Sequence, residues 1–82
     1  MYHVYALYNK DKNKIYIGQT QNLEERLRLH NNKKFSRSYT AKNDGKWILI
    51  HDELFEDRQS ALKREKQLKS YRGREFVRKL IE

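Results

Sequence analysis

The chain has 82 residues, carries 19 Lys and Arg against 11 Asp and Glu for a net charge of +8, and contains neither Cys nor Pro. Without Cys, disulfide staples, zinc-ribbon sites and thiol catalysis are excluded. Nothing reads as a signal peptide, and no apolar run approaches the roughly 18 residues of a membrane span, so the composition suits one cytoplasmic domain over residues 1–82.

In chain order, Tyr2–Tyr8 is rich in aromatic and β-branched residues and reads as a strand. A polar turn over Asn9–Asn13 and a second strand over Ile15–Gln19 complete a hairpin. Matching apolar to apolar sets Val4 opposite Ile17, Ala6 opposite Ile15, and Tyr5 directly opposite Tyr16 on the other face. Any register slip of two keeps both tyrosines on one face. Asn22 is an expected N-cap with Glu25 completing a capping box, and the helix it opens runs from Leu23 to about Asn31. Leu23 and Leu27 define its inner stripe, with Arg26 and His30 at the border. Residues 31–46 have few aliphatics and read as a long basic loop. Trp47–His51 fits a short strand covered on both faces, at the sheet's centre. After an acidic stretch, Asp57 is an N-cap for a helix from Arg58 to about Tyr71, stopped by Gly73. A last helix from about Arg74 to Ile81 presents Phe76, Val77, Leu80 and Ile81 on one face. Strand, strand, helix, strand, helix, helix is an α+β domain with a small sheet covered by helices.

The positive charge concentrates in residues 24–46 and 58–82, while 47–57 is acidic. A small domain so charged suits a polyanionic partner, nucleic acid being the commonest, although a plain soluble basic surface reads equally well from charge alone. Glu65 is sharper. It falls on the stripe of Ala61, Leu62 and Leu68, in a helix whose other charges are basic. A carboxylate facing inward costs several kcal/mol, about 2–7 for an unpaired polar group, unless something binds it. A salt bridge to Arg26 or another cation is one answer; a Mg²⁺ ion completed by waters and substrate phosphate is the other. Tyr5 and Tyr16 read either as a cross-strand aromatic pair or, with the gap left by Gly18, a nearby Arg and the inward Glu, as a phosphate site. His30 is a candidate base or a satisfied boundary histidine; His3 and His51, on strands, read as structural.

Val4-Tyr5-Ala6 and Tyr16-Ile17-Gly18, with ten residues between the two tyrosines, resemble the paired motifs of the GIY-YIG nuclease domain. The likeness continues through Leu23–His30, Tyr39-Thr40 and Ala61–Lys69, and is similar to the small stand-alone bacterial, UvrC-N-terminal-like branch. His3 stands where the first motif often begins with Gly, and no Asn follows Gly73; both features are common in that branch. The resemblance implies a three-stranded antiparallel sheet flanked by three helices, and a phosphodiester-cleaving site with one divalent metal, Mg²⁺ first. It implies Glu65 as metal ligand, Tyr5 and Tyr16 positioning or activating water, Arg26 stabilising charge on the scissile phosphate and His30 assisting by hydrogen bonding. Gly18, Lys33, Lys34, Arg37, Tyr39, Thr40, Lys42 and Lys69 are the expected nucleic-acid contacts. The expectation is a monomeric endonuclease of low sequence specificity that acts on DNA rather than RNA; the alternatives are a non-catalytic binding module and a protein-interaction domain. A phenol with its usual pKa near 10 accepts a proton only if a cation lowers it, so the tyrosines are expected to depend on Arg26 and the ion.

Overall fold

The computed structural model describes residues 1–31 and 46–81. Strand β1 (Tyr2–Asn9) and strand β2 (Lys14–Thr20) form the hairpin, followed by helix α1 (Leu23–Asn31), strand β3 (Trp47–Phe55), helix α2 (Arg58–Lys69) and helix α3 (Tyr71–Lys79). The sheet is antiparallel with the order β2-β1-β3. The expected α+β class and element order hold.

The central strand is β1, not the Trp47 strand. Hydrogen-bonded on both sides and covered on both faces, it buries Val4, Tyr5, Ala6 and Leu7 together. The two faces carry separate cores. Val4, Ala6, Ile15 and Ile17 pack on Ala61, Leu68 and Val77 of α2 and α3, while Tyr5 and Leu7 pack with Trp47, Tyr16, Leu23 and Leu27. The β3 strand pairs only with β1 and runs on through the acidic stretch to Phe55. Its register passes from Ala6–His51 to Leu7–Leu49, so Ile50 is the extra residue of a bulge. That bulge, at an edge, is why four apolar residues follow one another without being covered on both faces; Ile48 and Leu49 stay exposed.

The hairpin register is two residues away from the expected one. Tyr5 lies opposite Gly18 and Leu7 opposite Tyr16. The turn fixes this: Asn9 belongs to β1, its Oδ1 accepts from the Lys12 N–H at 3.1 Å, and Asn13 takes the left-handed φ of 52°. Both tyrosines keep one face, as a slip of two requires.

Helix α1 has the expected bounds. Asn22 Oδ1 accepts from the Glu25 N–H at 3.1 Å, but the Glu25 carboxylate takes the Asn22 side-chain amide at 3.3 Å rather than its backbone, which donates to Thr20 Oγ1. At its other end Asn31 exchanges two hydrogen bonds with the Trp47 backbone, tying the helix to β3. Asp57 caps α2 through the Ser60 N–H at 2.7 Å, as expected. That helix ends at Lys69 rather than Tyr71, because Ser70 both closes α2 and caps α3. Gly73 lies inside α3, and of the expected apolar face Val77 is the buried member. No helix of the described residues is long and apolar enough to cross a membrane.

Candidate active site

Tyr5 is the fixed point. Central in the sheet and 1% exposed, it brings its hydroxyl within 3.0 Å of His30 Nε2. Its ring lies over Gly18, where an added Cβ would meet the Tyr5 hydroxyl and Tyr16 Cε2, each at 3.0 Å. The glycine is therefore the floor of the site, and any side chain there would press on both phenols. Tyr16 is half-buried, with its ring centroid 4.8 Å from His30 and 6.2 Å from Tyr5.

His30 departs from the expected border position. It is the fully buried residue of α1, while Leu23 and Leu27 are only half-buried. A buried imidazole needs a polar partner, and the Tyr5 hydroxyl supplies one. Burial, reinforced by the Arg26 charge, lowers the His30 pKa and keeps the ring neutral. Burial pushes the Tyr5 phenol well above its ordinary value; Tyr16 adds to the rise, the Arg26 guanidinium opposes it and the Glu65 charge adds again. Arg26 lowers the Tyr5 pKa, as expected of a cation, but burial outweighs it.

Glu65 arrives from α2, the helix on the opposite face, and its charge is still felt at Tyr5. Its side chain is 16% exposed, and Lys69 Nζ lies 2.8 Å from Oε2, one helical turn on. The carboxylate is therefore largely inward and paired with Lys69, where the sequence suggested Arg26 or another cation. No cluster of three or more His, Asp or Glu is gathered among the described residues, so the preformed cage of a structural zinc is not built here. A single carboxylate completed by waters and phosphate oxygens suits Mg²⁺, and Glu65 fits that role.

Tyr5, Tyr16, Gly18 and His30 are thus in mutual contact, and the charges of Arg26 and Glu65 act on Tyr5 from α1 and α2. Beside them a cleft of about 530 Å³ runs between α1 and the start of α2, with Arg26 on one wall, Arg58 on the other and Gln19, Gln21 and Asn22 between. Arg26 is common to the cleft and to the tyrosine site; Tyr5, Tyr16, His30 and Glu65 do not line it. Arg58 opens the basic segment 58–82 noted in the sequence, and seven residues, two helical turns, separate it from Glu65. Lys33, Lys34, Arg37, Tyr39, Thr40 and Lys42 lie outside the described residues. His3 and His51 are structural, His3 Nδ1 lying 2.9 Å from Asp52 and His51 Nε2 2.6 Å from Glu53, which Arg64 also holds.

The sequence is similar to the UPF0213 protein of Syntrophus aciditrophicus, 40% identical over 82% of this chain and 75% of that protein. It is 35% identical to the UPF0213 protein of Staphylococcus haemolyticus, over 99% of this chain and 94% of that protein. The fold is similar to the solution NMR structure of a UPF0213 protein from Bacillus halodurans, with a TM-score of 0.56, 29% identity, and coverage of 98% of this chain and 85% of that one. The GIY-YIG catalytic domain model matches residues 1–78, the span that holds both tyrosine motifs, Arg26, His30 and Glu65. This chain therefore belongs to the GIY-YIG family.

Proposed function

We propose that the chain is a metal-dependent endonuclease that hydrolyses nucleic-acid phosphodiester bonds with low intrinsic sequence specificity, on DNA in preference to RNA. One observation carries this reading: in a chain matched by the GIY-YIG catalytic domain model, the buried Tyr5 hydroxyl meets His30 at 3.0 Å beside the Tyr16 ring, with a largely inward carboxylate, Glu65, on another helix. Buried, and hydrogen-bonded to a neutral His30, Tyr5 stays protonated and acts as a positioning residue. Tyr16, half-buried and adjacent, is left as the phenol that meets the attacking water. The exposed Arg26 guanidinium stabilises charge developing on the phosphate. Glu65 would hold the divalent ion, most simply Mg²⁺, which when bound polarises a phosphoryl oxygen. Lys69, whose side chain is about half exposed, is free to leave Glu65 for a substrate phosphate.

Magnesium-dependent nicking of plasmid DNA tests this reading. The wild type is expected to nick, Arg26→Ala to lose roughly 10²–10³-fold, as when a transition-state donor is removed, and Glu65→Gln to fall to background. Equal activity in all three would overturn the assigned site.

The Glu65–Lys69 pair favours a second reading, in which the carboxylate is satisfied without an ion and the domain binds nucleic acid without cutting it. Salt-sensitive binding unaffected by Glu65→Gln, with no nicking under any divalent ion, would select it.

A further inference from the structure

We propose that the cleft between α1 and the start of α2 is a subsite for the substrate strand, in which Arg58 holds a backbone phosphate flanking the scissile one. This rests on the nucleic-acid reading of the neighbouring site. The cleft, about 530 Å³, shares Arg26 with that site, so a strand held at Arg26 enters it directly. Two guanidinium groups from different helices line one concave space with the single carboxylate of Glu25, and the net positive charge attracts an anion. Guanidinium is also the group whose fork of donors best matches phosphate oxygens.

Of the acids near Arg58, Asp57 and Glu25 are hydrogen-bonded to other groups and form no ion pair with it. Both Asp57 oxygens cap α2, taking the Ser60 N–H at 2.7 Å and the Ser60 hydroxyl at 3.0 Å. Glu25, on the cleft wall, accepts from the Asn22 side-chain amide at 3.3 Å. None of the ion pairs among the described residues includes Arg58. Between the two arginines the lining is neutral and amide-rich, with Gln19, Gln21 and Asn22. Such groups contact phosphate and sugar without reading sequence, as a nuclease of low specificity needs.

The spacing suits a strand. Arg58 precedes Glu65 by seven residues on one helix, about 10.5 Å along its axis. One strand of duplex DNA advances about 3.4 Å per nucleotide along the duplex axis, so that separation is within reach of a phosphate near the scissile one.

The test is fluorescence-anisotropy binding of a labelled 20-base-pair DNA duplex in EDTA, where nothing is cut, over a range of salt. Relative to the wild type, Arg58→Gln is expected to weaken binding roughly threefold to tenfold and to make the slope of log K against log salt shallower by about one. Arg58→Lys, which keeps the charge, is expected to restore most of that slope. Lys10→Gln, in the hairpin turn away from the cleft, is expected to leave both unchanged. Wild-type binding and slope in Arg58→Gln would overturn the proposal, as would an equal loss in Lys10→Gln or a wild type that does not bind DNA. A wild type that binds but does not nick would refute only the catalytic reading; the Arg58 result would still stand by itself.

Discussion

At the scale of single residues, the site depends on how Tyr5 is held. Its ring is buried, its hydroxyl is hydrogen-bonded to His30, and its underside rests on Gly18. A Cβ at position 18 would sit 3.0 Å from the Tyr5 hydroxyl and from Tyr16 Cε2. Both phenols would have to give way, the Tyr5–His30 bond first. Gly18→Ala is therefore expected to cost about 1–3 kcal/mol in urea unfolding and to lower nicking by more than tenfold; wild-type stability and nicking together would contradict this placement. The tyrosines and Gly18 were legible in the sequence because a strand's period of two puts them on one face whatever the register. His30 was not. A helical wheel sets it at the border of an apolar stripe, and the Tyr5 phenol facing α1 lets an imidazole be buried more fully than the leucines beside it.

At the scale of elements, α2 and α3 form a tight corner that fixes where Glu65 and Arg58 stand. Ser70 serves both helices: its hydroxyl lies 2.5 Å from the Gln67 carbonyl of α2 and accepts from the Gly73 N–H of α3 at 3.3 Å. At Gly73 the helices approach so closely that a Cβ would lie 2.1 Å from the Gln67 carbonyl oxygen and 2.4 Å from Leu68 Cα. Those are backbone atoms and cannot turn aside. Gly73→Ala is expected to cost about 3 kcal/mol, read as a lower urea midpoint; an unchanged midpoint would mean that the corner is looser than it stands. The sequence identified Gly73 as special but assigned it to a helix end, since an isolated Gly usually marks a terminus. Here the cause is close approach of two helices, which no local pattern encodes. The same limit explains β3. An unbroken apolar run reads as a central strand, but here it comes from a bulge at an edge, and the central place goes to Val4–Leu7.

At the scale of the whole molecule, a three-stranded sheet holds one core on each face, and Tyr16 and Gly18 of the outer strand β2 meet Tyr5 and His30. The class and order of elements followed from periodicity and caps, because those signals are local. The convergence of Glu65 with the tyrosines is an expectation drawn from its inward place on an apolar stripe; which helix covers which face was not legible, because no local pattern encodes it. That convergence is the central claim, and a Mn²⁺ titration followed by NMR line broadening tests it most directly. In the wild type, paramagnetic broadening is expected first at Glu65, Tyr5 and Tyr16, and Glu65→Gln is expected to remove it. Broadening centred instead on the acidic strand end around Asp52–Asp57, or left intact by Glu65→Gln, would contradict it.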